Sequence, residues 1–150
     1  MALYYLETSA LVKLYVYEPG TERLLVLTAS DAGHRFAIMS LAQVEFRAAI
    51  RRRQRNRQIP DNTGDELIET FRRHVEGKFL VQSLTDSVLD VAMALVDGYG
   101  LRGYDAMQLA GYLVLRSTAA EQPTFVCADK ALLDAARNEG CPVLDPSGAP

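Results

Sequence analysis

Apolar residues in this chain come in two rhythms, short dense runs and stripes recurring every three to four positions, and their alternation lays out the elements. Leu3-Tyr4-Tyr5-Leu6 is too short for a helix and reads as a strand. It ends in Glu7-Thr8-Ser9, where a hydroxyl is expected to cap a helix over Ala10 to Tyr15. After the break at Glu18-Pro19-Gly20, a second helix is predicted from Thr21 to about Asp31-Ala32-Gly33, with Leu24, Leu25, Leu27 and Thr28 on its buried side. Arg35 to Met39 is the second strand. Ser40-Leu41-Ala42-Gln43 matches a capping box and opens a long helix from Leu41 to about Arg57, ended by Ile59-Pro60. Asp61 to Glu76 begins with acids, closes on Arg72, Arg73 and His74, and carries Leu67, Ile68 and Phe71 as its apolar stripe, so it is the next helix.

Phe79 to Leu84 is strand-like, and Thr85 or Asp86 caps a helix through Val96 that Gly98 and Gly100 break. Tyr104 to Arg116 is helical, Thr124 to Cys127 a strand, and Lys130 to Glu139 a helix stopped at Gly140; Pro142 to Leu144 forms a short edge strand. Short strands alternating with helices call for an α/β fold, a mostly parallel sheet of about four to five strands covered by helices on both faces. One domain over residues 1–145 and a loose tail over 146–150 account for the chain.

Composition narrows the class. With 49% apolar and 23% charged residues, the 150-residue chain is neither disordered nor a coiled coil. Sixteen Lys and Arg against 19 Asp and Glu give a net charge of −3, which excludes a uniformly basic nucleic-acid coat. Cys127 and Cys141 form no CxxC pair and His34 and His74 stand far apart, which argues against a structural zinc site or a disulfide framework and fits a reducing cytoplasm. The cysteines are expected to pack as small apolar residues, and the histidines to lie in a loop and on a helix surface. No leader pattern and no apolar run near the ~20 residues that span a bilayer is present, so export and membrane insertion are not expected.

In parallel α/β folds, ligands settle where strands end and helices begin. That rule selects Glu7 after the first strand, Glu45 in the first turns after the second, Asp105 near the start of a later helix and Asp129 just past the Val126-Cys127 strand end. Any one of these acids alone reads as a helix cap or a surface ion pair. Four converging on one edge would repel one another unless a cation neutralised them, and hard oxygen donors suit Mg²⁺ or Mn²⁺.

Tyr5-Leu6-Glu7-Thr8-Ser9-Ala10-Leu11-Val12-Lys13-Leu14-Tyr15 followed by Glu18-Pro19-Gly20 resembles the opening of the PIN-domain ribonucleases, especially the VapC-like toxins. Val44-Glu45 resembles that family's second acid, Gly103-Tyr104-Asp105-Ala106-Met107-Gln108-Leu109-Ala110 its third, and Phe125-Val126-Cys127-Ala128-Asp129-Lys130-Ala131-Leu132-Leu133 its fourth. The resemblance runs from about Leu3 to Leu144. It implies a PIN-like three-layer sandwich and a metal-dependent endoribonuclease whose catalytic and metal-holding residues are Glu7, Glu45, Asp105 and Asp129, with one or two Mg²⁺ or Mn²⁺ ions. It also implies RNA as substrate, an antitoxin partner and a homodimer. A cation so held polarises a phosphodiester and activates water, so no side-chain nucleophile is required. Thr8 and Ser9 are placed to orient water or the first carboxylate, or simply to cap a helix.

The family's first acid is normally Asp, and Glu7 displaces the carboxylate by one C–C bond, about 1.5 Å. This leaves open a catalytically weak or inactive PIN-like module that binds RNA or an antitoxin. Six arginines, Arg47, Arg51, Arg52, Arg53, Arg55 and Arg57, stand between Phe46 and Pro60 without an acid. Arg52 lies seven residues from Glu45, roughly 10 Å along one helix face, and with Lys13 it is a candidate contact for RNA phosphates; a solvated helix end or a surface for an acidic partner segment reads equally well. Tyr104, beside Asp105, offers a ring to stack on an RNA base, but opening an apolar helix it is expected rather to pack in the core. A phosphoacceptor signalling domain also gathers acids and a lysine such as Lys130 at strand ends, but such domains resemble an adjacent acid pair after the first strand, where this chain has Glu7-Thr8-Ser9.

Overall fold

Five strands, β1 (Leu3–Leu6), β2 (Arg35–Met39), β3 (Phe79–Gln82), β4 (Thr124–Val126) and β5 (Val143–Leu144), make one sheet in the order β3-β2-β1-β4-β5 with every neighbouring pair parallel. The structure is a computed structural model and describes residues 2–148. Alternation along the strands sorts the core into two layers. Leu3 and Tyr5, Ala37 and Met39, and Phe125 face one side; Leu6, Ile38 and Val126 face the other.

The second side is covered by α1 (Thr8–Leu11) with a 3-10 turn at Val12–Leu14, by α2 (Thr21–Thr28), α3 (Ala42–Arg55) and α4 (Asp61–Gly77), through Leu11, Leu24, Phe46, Ile50, Ile68 and Phe71. The first is covered by α5 (Asp86–Tyr99), α6 (Gly103–Thr118) and α7 (Lys130–Asn138), through Val88, Leu95, Leu109, Tyr112 and Leu132. Each layer has an aromatic centre: Tyr5 stacks on Phe125 and meets Tyr112 edge-on, and Phe46 lies 4.1 Å from Phe71, centroid to centroid. Burying rings of this size contributes roughly 2–3 kcal/mol apiece. The α/β sandwich read from the sequence is the fold observed.

The differences lie at element ends. The first helix is capped by the Glu7 carboxylate, which accepts from the Ser9 backbone N–H, and not by a hydroxyl. Ser40 and Gln43 form no capping box, because the Ser40 hydroxyl accepts from Leu84 N–H and ties the end of β2 to the chain after β3. Leu25 is exposed on α2, and α3 stops at Arg55 as Arg57 turns left-handed (φ 58°) ahead of Pro60. Gly98 continues α5, which ends at Gly100. Residues 145–148 are ordered: Asp145 accepts from Ser147 N–H at 3.0 Å and Pro146 is buried. Pro146 packs so near Gly20 (φ 100°) that an added methyl there would lie 2.7 Å from its carbonyl carbon. The rest of the expected loose tail, residues 149–150, lies outside the described residues.

Two features position the site. The chain reverses direction across the sheet at β1, leaving a crevice beyond the carboxyl ends of β1 and β4. And α6 presses on the sheet at Gly111, where an added methyl would stand 2.6 Å from the Tyr5 hydroxyl oxygen and 2.8 Å from Met39 Sδ.

Candidate functional site

Glu7 leaves the end of β1 with its backbone N–H still donating to Val126 O at 3.0 Å, so the β1–β4 pairing carries its side chain into the crevice. Its carboxylate accepts from Ser9 N–H at 2.9 Å and from the Ser9 hydroxyl. It is only 5% exposed. Burial pushes its pKa up from 4.5 to about 7; the Ser9 hydrogen bonds oppose this and the charge of Glu45 adds to it.

Glu45 arrives from the first turn of α3 and is half-buried. Its Oε1 accepts from the Thr8 hydroxyl at 2.8 Å and from the Gln108 amide at 2.6 Å, and the same amide nitrogen donates to Thr8 Oγ1 at 3.0 Å. Tyr5, fully buried, donates its hydroxyl to Gln108 O at 2.7 Å. Burial holds that phenol well above its ordinary range, with the charges of Glu7 and Glu45 adding, so it remains a donor.

Asp105 stands in the first turn of α6, and Asp129 caps α7 by accepting from Leu132 N–H at 2.9 Å. Asp105 is half-buried, and burial first, then the charge of Asp129, raises its pKa. The four acids thus form two mutually repelling pairs, Glu7 with Glu45 and Asp105 with Asp129. Each pair lines an open cavity of about 530 Å³. Ser9 stitches the pairs together, since its hydroxyl oxygen accepts from Ala128 N–H at 2.9 Å beside the bond to Glu7. Cys127 Sγ, between them, accepts from Asp129 N–H at 3.3 Å. Burial drives that thiol far up, so Cys127 is no nucleophile.

Among the described residues no three acids, histidines or cysteines converge closely enough to hold an ion by themselves. The donor set still fits Mg²⁺ or Mn²⁺ in kind: every donor is a carboxylate oxygen, and Mg²⁺ keeps several waters and takes one or two carboxylates, which is what a pair offers.

The Glu7–Glu45 cavity is also lined by Lys13, Glu18, Arg52, Arg53 and Tyr104. Arg52 is exposed there, sharing the cavity with Glu45. Lys13 is buried and paired with Glu18 Oε1 at 3.2 Å, while Arg53 takes Glu18 Oε2 at 2.6 Å. Arg51 pairs with Asp65, so the arginine run is partly neutralised at home. Tyr104 does not pack in the core; it is 61% exposed and sits at the cavity wall. Gln108 and Glu18 are site residues that the strand-end rule does not select; Gln108 is marked in the sequence only as a polar residue inside the apolar run Ala106 to Tyr112, one helical turn after Asp105.

No family model and no curated protein matches the sequence. Solved structures do match by shape. A chain of a toxin–antitoxin complex from Klebsiella pneumoniae is 18% identical over 97% of this chain and 98% of that one, with a TM-score of 0.63. FitAcB from Neisseria gonorrhoeae is 14% identical over 99% and 100%, at 0.64. The chain shares their PIN-like fold. VapBC2 from Rickettsia felis, determined with a DNA fragment from its promoter, is 13% identical over 95% and 97%, at 0.61. At these identities the likeness is one of fold. Among the described residues no helix is long and apolar enough to cross a membrane.

Proposed function

We propose that the protein is a metal-dependent endoribonuclease, the toxin of a toxin–antitoxin pair, acting as a homodimer in the cytoplasm. The observation that supports this most is the delivery of four carboxylates from four separate elements as two pairs, each lining its own cavity, with Lys13, Arg52 and Arg53 beside the first pair and Arg102 beside the second. A divalent cation bound there supplies Lewis-acid polarisation of the phosphodiester and acidifies water. Glu7, Glu45, Asp105 and Asp129 are the residues that would hold it. Arg52, two turns after Glu45 on α3 and lining the same cavity, would take a substrate phosphate, and Tyr104 would offer a face for a nucleobase. Lys13, spoken for by Glu18, contributes to the wall and less to direct contact. The structural neighbours named above as toxin–antitoxin complexes support an antitoxin as partner.

The test is a titration of RNA cleavage with Mg²⁺ and Mn²⁺ on chelator-treated protein. Cleavage that rises with metal and vanishes with chelator is expected; no cleavage with either ion removes the nuclease reading. A binding module without turnover is favoured by one detail, that Glu7 Oε2 is taken by the Ser9 N–H and hydroxyl at the cap of α1. If Glu7→Asp creates cleavage in a parent that has none, that second reading gains; a parent that already cleaves excludes it.

A further inference from the structure

We infer that Gln108 is a positioning residue that sets the orientation of Glu45 and, through α6, ties the two acid pairs together. The side chain is fully buried, and its amide nitrogen donates to both Thr8 Oγ1 at 3.0 Å and Glu45 Oε1 at 2.6 Å. The amide cannot turn over without setting its own oxygen against a carboxylate, so its orientation is fixed. The Thr8 hydroxyl accepts from this amide and donates to the same Glu45 oxygen at 2.8 Å. Both donors grip Oε1, and among the described residues Glu45 Oε2 takes no protein hydrogen bond, which leaves it for a ligand.

The lever is held from below. Tyr5 in the central strand donates to the Gln108 backbone carbonyl at 2.7 Å, and the Gln108 side-chain oxygen stands 3.4 Å from the same hydroxyl. Gln108 follows Asp105 by three residues, so one turn of α6 carries an acid of one pair and the amide that aims an acid of the other. A shift of α6 moves both.

This inference rests on the reading of the acids as cation ligands, and the experiment separates the two. Mn²⁺ uptake by the full chain, without RNA, is measured by calorimetry and by the electron-spin signal of free Mn²⁺ for the parent, Gln108→Met, Glu45→Gln and the double variant. Gln108→Met keeps the side chain's volume and removes its donors. The expected result is affinity about 10-fold weaker in Gln108→Met, with no further loss when the same change is made in Glu45→Gln, because Gln108 acts through Glu45. Should Gln108→Met fail to fold, Gln108→Leu, which removes the donors without adding charge, is read in the same cycle. Unchanged affinity in a folded Gln108 variant, or equal weakening in both backgrounds, overturns the positioning role while the metal reading stands. No Mn²⁺ uptake by the parent overturns both.

Discussion

The Glu7–Glu45 pair and the Asp105–Asp129 pair carry the same charges, yet the chain houses them differently. Glu7 is nearly sealed and Glu45 is gripped by two donors; Asp105 is half-open and Asp129 is exposed at the head of α7. In both pairs the leading cause of a raised pKa is loss of water, with the neighbouring carboxylate second or later. Charge crowding alone therefore does not set proton affinity here; depth does. The deep pair is organised before any ligand arrives, whereas the shallow pair has room to adjust.

The largest effect expected is on chemistry at the shallow pair. Asp105→Asn should lower Mg²⁺- or Mn²⁺-dependent RNA cleavage by roughly 100-fold or more while melting no lower than the parent, because the amide keeps the shape and removes only charge. Unchanged cleavage would strike Asp105 from the mechanism. The deep pair should show itself in stability. Between pH 4.5 and about 7 the folded chain retains a proton on Glu7 that the unfolded chain has released, so stability falls as pH rises through that window and is level above it. Glu7→Gln removes the dependence. By denaturant unfolding of metal-free protein it should be more stable than the parent at pH 8 by up to roughly 3 kcal/mol, a gain that fades toward pH 4. A difference that does not vary with pH would mean Glu7 is not held away from water.

The smallest effect belongs to the exposed acid. Asp129→Ala removes the cap of α7 and should cost about 1 kcal/mol, while Asp129→Asn, which still accepts from Leu132 N–H, should cost only a few tenths. If Asp129→Asn proved as destabilising as Asp129→Ala, the carboxylate's charge rather than its cap would be holding the helix.

Strands and helices followed from periodicity because the central strands β2, β1 and β4 put apolar side chains into both layers and the helices cover them with one apolar face each. The four acids were legible because the strand-end rule is a matter of topology. Their division into two pairs was not, since it depends on how deep each crevice wall stands. Nor was the choice of cap: Thr8 is recruited by Glu45 and Ser9 by Ala128, so Glu7 itself turns back to Ser9 N–H. Tyr104 was misread because a helix start that faces a cavity looks, in sequence, like one that faces a core.

Gly111 has a consequence for how this molecule can vary. With no methyl to separate them, the backbone of α6 rides directly on Tyr5 and Met39, one turn below the amide that steers Glu45. Even alanine at 111 would act as a shim under the beam, tilting Asp105 and Gln108 together. Alignment of the crevice is thus fixed by an omitted carbon atom, at a position no inspection of the acids themselves would single out.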